Sequence, residues 1–258
     1  MTLNVTINFP PNFLMPSTLY TDPRLVALYD TLNPFAADTD FYLALAAGMQ
    51  RVIDLGCGTG LLACELASRG HRVMAVDPAP EMLHVARHRP NGDSVQWIEG
   101  DARALALLPP ADLLVMTGHV AQVFLDDTAF LNTLKAARYA LRDGGTLAFE
   151  SRNPAARAWD FWTPAQSRRL IEVNGVGEVE VWQDDVSASP ESGIRFNTYY
   201  RFEATGETLT SASELRFRTQ DELTAQLEAA GFRHLVWQGD WDGAAVSAAS
   251  RELIGVAR

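Results

Sequence analysis

The chain has 258 residues, of which 47% are hydrophobic and 21% charged. These proportions allow a substantial core and exclude a disordered chain, a collagen-like repeat and a small disulfide-framework domain. The formal net charge of −11 argues against nucleic acid as a partner, because a polyanion is repelled on average.

The amino terminus lacks the positive start, the continuous apolar core and the small-residue cleavage site of a secretory signal. No apolar run approaches about 18 residues, so we predict no membrane span and a cytoplasmic location. On one helix Cys57 and Cys64 would lie roughly 10 Å apart, which is too far for a disulfide. Two thiols without histidine partners also predict no metal site.

Short apolar runs alternate with helical stretches between residues 51 and 150. The predicted strands are 51–55, 71–76, 95–98, 111–116 and 145–150, and the predicted helices are 61–70, 80–89 and 128–141. Strands joined by helical crossovers predict a parallel sheet that is covered on both faces. In such a sheet the ligand crevice lies at the carboxyl ends of the strands.

The pattern changes after Glu150. Alternation with period two over 177–184, 193–203 and 207–218 is typical of antiparallel, half-exposed strands, and residues 203–207 have turn composition. Next, Thr219 and Glu222 have the spacing of a capping box, and Gly231 suits the end of that helix. The apolar runs 232–238 and 252–258 predict a final antiparallel pair.

We therefore predict a single domain over residues 1–258 with an α/β, doubly wound, Rossmann-like fold. Its seven-stranded sheet would be mainly parallel, with an antiparallel final strand. Residues 1–45 would form a helical N-terminal lid, 46–151 and 219–258 the core, and 152–218 an inserted antiparallel β flap.

A glycine-rich loop follows the first strand. Gly56, Gly58 and Gly60 precede a predicted helix, where glycines allow tight turns and close approach of a ligand to the main chain. A dinucleotide fingerprint would need glycine at position 61, which is Leu61, and the ending of a phosphate-binding P-loop is absent. Nicotinamide redox chemistry and nucleoside triphosphate hydrolysis are therefore disfavoured.

Acidic residues follow the next two strands. Asp77 ends the second strand, where a doubly wound fold presents a carboxylate to the ribose of a nucleoside. Asp101 follows the third strand, where a carboxylate can accept a hydrogen bond from an exocyclic amine. With the glycine loop, these acids predict an adenosine-like ligand.

Four segments in this order resemble class I S-adenosylmethionine-dependent methyltransferases, and the resemblance covers residues 45 to 258. They are DLGCGTG at 54–60, VDP at 76–78 with Met82 following, GDA at 100–102 and LRDGG at 141–145. The resemblance implies S-adenosylmethionine as cofactor, with the glycine loop and Asp54 at its methionine end. It also implies the ribose on Asp77 and the adenine among the residues around positions 78, 82 and 101. The implied cofactor site comprises Asp54, Gly56, Cys57, Gly58, Gly60, Asp77, Pro78, Met82, Asp101, Ala102 and Thr117.

Segments 219–223, 229–232 and 239–243 are similar to small-molecule methyltransferases, including some that methylate amines on sugars. This similarity implies a small-molecule methyl acceptor, with nitrogen slightly favoured over oxygen. Since no cluster of metal ligands is apparent in the sequence, we also predict metal-independent chemistry. The flap could form a wall of the acceptor pocket. The alternative is a protein that binds S-adenosylmethionine without catalysis, as a sensor or assembly partner. The oligomeric state stays open.

Two residues are candidates for roles in methyl transfer, which requires alignment of the acceptor and exclusion of water. His119 follows the fourth strand and could take a proton from the acceptor, as an equivalent histidine occurs in some sugar N-methyltransferases that this stretch resembles. The alternative is a loop histidine bonded to backbone. Tyr29 could cover the sulfonium by a cation–π contact, or could pack in a helical row with Leu25, Leu28 and Leu32.

Other side chains have two interpretations. Large aromatics could line an acceptor pocket or seal the flap against the core. Arg195 and Arg201 share one face of a strand and could meet an anionic acceptor or be solvated. Asp240 and Asp242 suit a turn better than a catalytic base. The aromatics in question are Trp159, Phe161, Trp162, Trp182, Trp237 and Trp241. In the predicted lid, Tyr20, Phe41 and Tyr42 could, like Tyr29, cover the sulfonium by a cation–π contact or pack on the sheet.

Overall fold

The computed structural model describes residues 17–189 and 193–258, so residues 1–16 of the predicted lid lie outside the described residues. Two sheets organise the described chain. The seven-stranded sheet contains β1 (Arg51–Leu55), β2 (Arg72–Asp77), β3 (Val95–Glu99), β4 (Ala111–Met116), β5 (Leu141–Arg152), β10 (Leu235–Gln238) and β11 (Glu252–Ala257). The four-stranded sheet contains β6 (Arg169–Val173), β7 (Gly177–Ser189), β8 (Gly193–Phe202) and β9 (Thr208–Leu215).

The seven-stranded sheet has the order β3-β2-β1-β4-β5-β11-β10. Strands β1 to β5 are parallel, whereas β11 is antiparallel to both of its neighbours. The predicted doubly wound sheet with an antiparallel final strand is thus confirmed. Because the strand order reverses between β1 and β4, their carboxyl ends border the crevice in which such folds bind ligands.

The sequence sets several helix ends through side chains that satisfy free backbone N–H groups. The Asp126 side chain accepts a hydrogen bond from Ala129 at the start of α7. Thr219 and Glu222 form the predicted capping box of α9, and Gly231 ends that helix at a φ of 103°. The helices are α1 (Thr18–Thr21), α2 (Pro23–Val26), α3 (Tyr29–Leu32), α4 (Ala37–Leu45), α5 (Leu61–Ser68), α6 (Pro80–Arg87), α7 (Asp127–Ala140), α8 (Pro164–Ser167) and α9 (Gln220–Ala230).

Both faces of the parallel sheet are buried, which explains the continuous apolar runs of its strands. On one face Ile53 and Leu114 pack with residues of α7 and α9. On the other face Val52 and Leu113 pack with residues of α4 and α5. No helix within 17–189 and 193–258 is long and apolar enough to cross a membrane.

Several predicted boundaries are wrong. The helix predicted to Leu141 ends at Ala140, and β5 begins at Leu141 because a register shift lets the strand start before residue 145. The strand predicted over 207–218 ends at Leu215, since the next N–H, that of Arg216, donates to the Gln122 carbonyl instead. The strand β6 was not predicted, because its apolar residues do not alternate strictly, and the flap sheet therefore has four strands.

The N-terminal helices α1 to α3 lie between the two sheets. Leu25 and Leu28 are fully buried against the four-stranded sheet, next to Val179. The opposite side of the same helices packs Val26 against Met82 of α6. The helical row of leucines therefore packs on the antiparallel sheet, and these helices cover the carboxyl edge of the parallel one.

Candidate active site

The glycine loop between β1 and α5 turns tightly back over the sheet. Gly56, Gly58 and Gly60 all have left-handed φ values, of 80°, 53° and 75°. The N–H groups of Gly56 and Cys57 donate to the Val76 carbonyl at 2.7 and 3.2 Å. These bonds hold the loop beside the end of β2, where the next acidic residue lies.

Asp77 holds the glycine loop to the start of α6. One carboxylate oxygen accepts from the N–H of Gly58 and the other from the N–H of Ala79, each at 2.8 Å. Burial raises the pKa of Asp77, and the two backbone N–H groups oppose that rise. The structure therefore brings together the loop and the acid that the sequence assigns to one site.

Asp54 is an acid of the site whose carboxylate has little stabilisation from neighbouring groups. Its side chain is 1% exposed, and Oδ1 has no hydrogen-bond partner among the described residues. Burial raises its pKa to about 7, and the nearby Asp77 and Glu150 add to the effect. A buried carboxylate oxygen without a partner is unfavourable, so this position suits a cationic group of a ligand.

Tyr29 spans the strand ends that border the crevice. Its ring lies 3.8 Å from the point where a Cβ of Gly58 would be, and its hydroxyl lies 3.9 Å from the corresponding point on Gly118. Burial raises its pKa, so the hydroxyl stays protonated. Tyr20 lies beside it with a ring-centroid separation of 6.2 Å. Both rings thus cover the crevice at the predicted position of the lid.

An ion pair holds the N-terminal helices to the glycine loop. Asp30 pairs with Arg89 and also accepts from the Thr59 hydroxyl at 2.6 Å. The Arg89 Nε in turn donates to the Thr59 carbonyl at 2.6 Å. These contacts connect α3, the loop and the end of α6.

Replacing Asp30 by Ala is expected to loosen α1 to α3 without unfolding the core. Loss of the half-buried pair should speed amide exchange in residues 18–32 by about tenfold. Hydrogen exchange followed by mass spectrometry of the peptides measures this change. The matched control is Glu207→Gln, which breaks an exposed pair with Arg24 and should have little effect. Equal exchange in both variants would show that Asp30 does not hold the helices.

The other predicted cofactor residues lie around the same edge. Asp101 caps the short helix Ala102–Leu107 and pairs with Arg103, so its carboxylate is engaged within its own loop. Pro78 and Thr117 are half-buried at the ends of β2 and β4. Their part in cofactor binding stays a prediction.

His119 lies in a constrained turn after β4. It has a left-handed φ of 62°, rare for a residue with a side chain, and follows Gly118 at 66°. Its backbone N–H donates to Glu150 Oε1 at 2.7 Å, and its Nε2 lies 3.0 Å from Glu252 Oε2. The ring is therefore oriented by a carboxylate, an arrangement beyond the backbone-bonded loop histidine of the alternative interpretation.

Glu150 is the centre of a buried polar cluster that was not predicted from the sequence. Its Oε2 accepts from the Tyr42 hydroxyl, and burial raises its pKa. Arg152 follows on the same strand and lies opposite Glu252 in the register of β5 and β11. One feature of the sequence could have indicated that Glu150 belongs to the site: it is an acid near the end of a central strand, as Asp54 and Asp77 are.

Most of the large aromatics pack rather than point into the crevice. Trp241 packs on Phe41 and Tyr42, and Trp237 packs on Phe149 and donates to Thr224. Phe161 is 59% exposed. The remaining three lie on the flap side: Trp159 against Phe217, Trp162 against Phe196, and Trp182 stacked on Tyr199.

The charged flap residues are paired at the surface. Arg195 pairs with Glu214 at 2.9 Å, and Arg201 pairs with Glu203 at 2.8 Å. The side chains of Asp240 and Asp242 accept from backbone N–H groups within their own turn, which confirms the turn interpretation. Cys57 and Cys64 are buried free thiols.

The residues of the site fit S-adenosylmethionine. The unpartnered Oδ1 of Asp54 offers a negative charge to the amino group of the methionine part. The left-handed glycines expose main chain beside it, and Asp77 lies at the next strand end. Within the described ranges no cluster of three or more His, Cys, Asp or Glu is placed to hold a metal ion.

Comparison with known proteins agrees with this geometry. The family described as "Methyltransferase domain" matches residues 52–145. Cypemycin N-terminal methyltransferase of a Streptomyces species is 27% identical over 79% of this chain and 80% of its own length. A ubiquinone biosynthesis O-methyltransferase of Methylocella silvestris is 30% identical over 57% of this chain, and the match spans 62% of that protein.

A solved structure has the same fold. An S-adenosylmethionine-dependent methyltransferase from Clostridium acetobutylicum superimposes with a TM-score of 0.73 at 16% identity, covering 91% of this chain and 97% of that one. The family match contains most of β1, all of β2, β3 and β4, and the glycine loop. Residues 52–145 thus match the methyltransferase-domain family, and the chain as a whole is similar to S-adenosylmethionine-dependent methyltransferases.

Proposed function

We propose that this enzyme transfers a methyl group to a small-molecule acceptor, at nitrogen in preference to oxygen. The observation that carries the proposal is the position of His119 between Glu150 and Glu252 at the carboxyl end of the sheet. Bound S-adenosylmethionine supplies the electrophilic methyl group. The chain's own residues then have to bind the acceptor, remove its proton and exclude water.

The hydrogen bond with Glu252 assigns the two ring nitrogens of His119 different roles. An ionised carboxylate can only accept, so it places the ring proton on Nε2 and leaves the lone pair on Nδ1. Nδ1 is then the atom that takes a proton from the acceptor. Glu150 holds the backbone N–H of His119 and so fixes the turn that carries the ring, while the bond from Nε2 to Glu252 orients the ring itself.

The charge around the site favours an amine over a neutral hydroxyl. Asp54, Asp77, Glu150 and Glu252 meet at the same sheet edge, with Arg152 as the buried cation among them. Such surroundings favour the positive charge that develops on an amine nitrogen as it takes the methyl group, and His119 then takes a proton from that nitrogen. The relative matched over the larger share of this chain is an N-terminal methyltransferase by name, which supports nitrogen, whereas the other is an O-methyltransferase.

For cofactor binding we propose the residues that the sequence predicts around the glycine loop, with Asp54 at the ammonium and Asp77 at the ribose. Tyr29 covers the crevice and keeps water from the reacting atoms. The predicted division into an N-terminal lid, a core and an inserted flap agrees with this assignment, since the helices α1 to α3 cover the strand ends.

Replacing Asp77 by Ala is expected to weaken binding of S-adenosylmethionine by about 1–3 kcal/mol. The variant loses the carboxylate and frees the N–H groups of Gly58 and Ala79. Calorimetric titration with S-adenosylmethionine and S-adenosylhomocysteine measures both parent and variant. Unchanged affinity would remove Asp77 from the site, and no binding by the parent would contradict the assignment of the cofactor.

His119→Ala is expected to leave cofactor affinity nearly unchanged and to slow methyl transfer by about 100-fold, the usual contribution of a general base. The measurement uses radiolabelled S-adenosylmethionine and matched panels of amines and alcohols. A preference for amines supports the proposed acceptor atom, and a preference for alcohols overturns it. Equal rates in parent and variant across a pH series would exclude His119 as the base.

A further inference from the structure

A polar and aromatic cluster borders His119 on the side of the flap. Gln122 lies three residues after the histidine, and its backbone N–H donates to the His119 carbonyl at 2.9 Å. Its side-chain Oε1 accepts from Arg152 Nη1 at 3.1 Å. Gln122 therefore joins the candidate base to the buried arginine at the end of β5.

Four aromatic rings from the segment after β5 and from the flap pack on one another, and one of them, Trp162, lies over this arginine. The Arg152 guanidinium lies 5.7 Å from the ring centroid of Trp162. The backbone carbonyl of Gln122 accepts from Arg216, which places the following ring beside the same glutamine. We call these four rings the aromatic cluster: Trp159, Trp162, Phe196 and Phe217, with centroid separations of 4.9 Å for 159–217, 4.4 Å for 162–196 and 6.1 Å for 162–217.

Two hydrogen-bond donors, one on the glutamine and one in the aromatic cluster, are buried without a partner among residues 17–189 and 193–258. They are Nε2 of Gln122, whose side chain is fully buried, and Nε1 of Trp159. Buried donors are nearly always paired in folded proteins, and those that are not call for an explanation. Both atoms can only donate, and the cation beside them, Arg152, is also a donor.

From this arrangement we infer that the aromatic cluster is the acceptor subsite and that it takes a ring-bearing acceptor through a carboxylate. The carboxylate accepts from Gln122 Nε2 and Trp159 Nε1, and the ring of the acceptor packs on the aromatic cluster. The inference rests on the proposed function, because it places the other end of the acceptor toward His119. The enzyme then recognises an acceptor with two features, an amine and an anionic oxygen group.

Charge complementarity favours a carboxylate over a neutral substituent. The charge of Arg152 is compensated by Glu252 and Glu150 on the neighbouring strand positions, whereas the buried donors of Gln122 and Trp159 bond to no anionic group among the described residues. A second cation, Arg157, lies over Trp159 at 5.3 Å and is paired with Asp160 at 2.7 Å. The preference for an anionic group therefore rests on the two buried donors of Gln122 and Trp159.

The test compares para-aminobenzoate with aniline, which has the same ring and amino group but lacks the carboxylate. Calorimetry and ligand-observed NMR on the full chain with S-adenosylhomocysteine present measure both affinities. We expect para-aminobenzoate to bind at least tenfold more tightly than aniline. Trp159→Phe keeps an aromatic ring and loses the donor, whereas Gln122→Glu keeps the acceptor for Arg152, loses the donor and adds a negative charge that repels the carboxylate. Trp159→Phe should weaken para-aminobenzoate binding by about tenfold, as for one hydrogen bond to a charged group, and Gln122→Glu by more than that.

The matched control is Trp182→Phe, which changes a tryptophan that stacks on Tyr199 elsewhere in the flap and should leave para-aminobenzoate affinity unchanged. Absence of para-aminobenzoate binding, equal binding of aniline, or unchanged affinity in both cluster variants would overturn the inference. Titration with S-adenosylhomocysteine alone distinguishes failure of the subsite inference from failure of the proposed function. Cofactor binding without discrimination between the probes rejects only the subsite, whereas absence of cofactor binding rejects the proposed function.

Discussion

Asp54→Asn is expected to stabilise the protein above pH 7 and to remove most of its affinity for S-adenosylmethionine. The parent buries a carboxylate with one oxygen unpartnered among the described residues, and its pKa is raised from 3.8 to about 7. Keeping that group ionised costs about 4 kcal/mol of unfolding free energy above pH 7. The amide removes the charge but keeps a buried oxygen, so a gain of about 2 kcal/mol is expected.

The same substitution should weaken cofactor binding by about 2–3 kcal/mol, because it replaces a charge-assisted hydrogen bond to an ammonium by a neutral one. Binding in the parent should also depend on pH. Below about pH 7 the carboxyl of Asp54 must release a proton before it can bind a cation, so affinity falls up to tenfold for each pH unit. In the variant this dependence should be lost.

The stability of the parent has a matching pH dependence. The folded state holds the Asp54 proton up to about pH 7, whereas the unfolded chain releases it near 3.8, so the contribution of this group to stability declines between these values. Denaturant unfolding at pH 5 and pH 8, combined with calorimetric titration, measures both effects.

Asp112→Asn is the matched control. This carboxylate accepts from Arg142 and from the N–H groups of Gln50 and Arg51, which hold its pKa down to about 2. Its loss should lower stability at neutral pH by about 1 kcal/mol and leave cofactor binding unchanged. A fall in stability at pH 8 in the Asp54 variant, or unchanged cofactor affinity, would contradict the role assigned to Asp54.

Gly60→Ala should destabilise the protein more than any of the substitutions above. The backbone at Gly60 has a φ of 75°, and a Cβ there would lie 2.9 Å from the Cβ of Ala86 and still closer to the rigid ring of Trp97. Left-handed strain of about 1–2 kcal/mol then adds to overpacking of about 1–3 kcal/mol. A loss of about 3 kcal/mol in the free energy of unfolding is expected from denaturant titration.

Two other glycines separate strain from packing and from ligand contact. Gly48 has a φ of 78°, and a Cβ at this position would meet no atom of the described residues within 4 Å, so Gly48→Ala reports the strain alone. Gly58 has a φ of 53°, and its Cβ would meet the Tyr29 ring at an ordinary 3.8 Å. Gly58→Ala should therefore cost no more stability than Gly48→Ala and yet weaken cofactor binding. Equal destabilisation by Gly60→Ala and Gly48→Ala would show that the side chains around Trp97 move to make room for the added Cβ.

The local sequence was sufficient for much of the parallel half of the fold. Apolar runs buried on both faces, the capping box of Thr219 and Glu222 and the left-handed Gly231 act over a few residues, so they can be recognised without tertiary information. The same holds for the adjacency of the glycine loop and Asp77, because parallel strands present their carboxyl ends at one edge. Predicted element boundaries were wrong where a tertiary contact sets the end of the element. Strand β9 ends at Leu215, because the next N–H donates to the Gln122 carbonyl.

The contacts among the polar residues around His119 depend on tertiary structure alone. Tyr42, His119, Glu150 and Glu252 are distant from one another in the sequence. Pairing of β4, β5 and β11, together with packing of α4 on the sheet, brings them together. The sequence indicated a histidine at a strand end but not the carboxylate that orients it. The unpartnered donors of Gln122 and Trp159 are likewise invisible in the sequence, because satisfaction of a hydrogen bond depends on which distant groups the fold places within about 3 Å. Periodicity thus determines which elements form and which faces are buried, whereas packing determines which polar atoms meet.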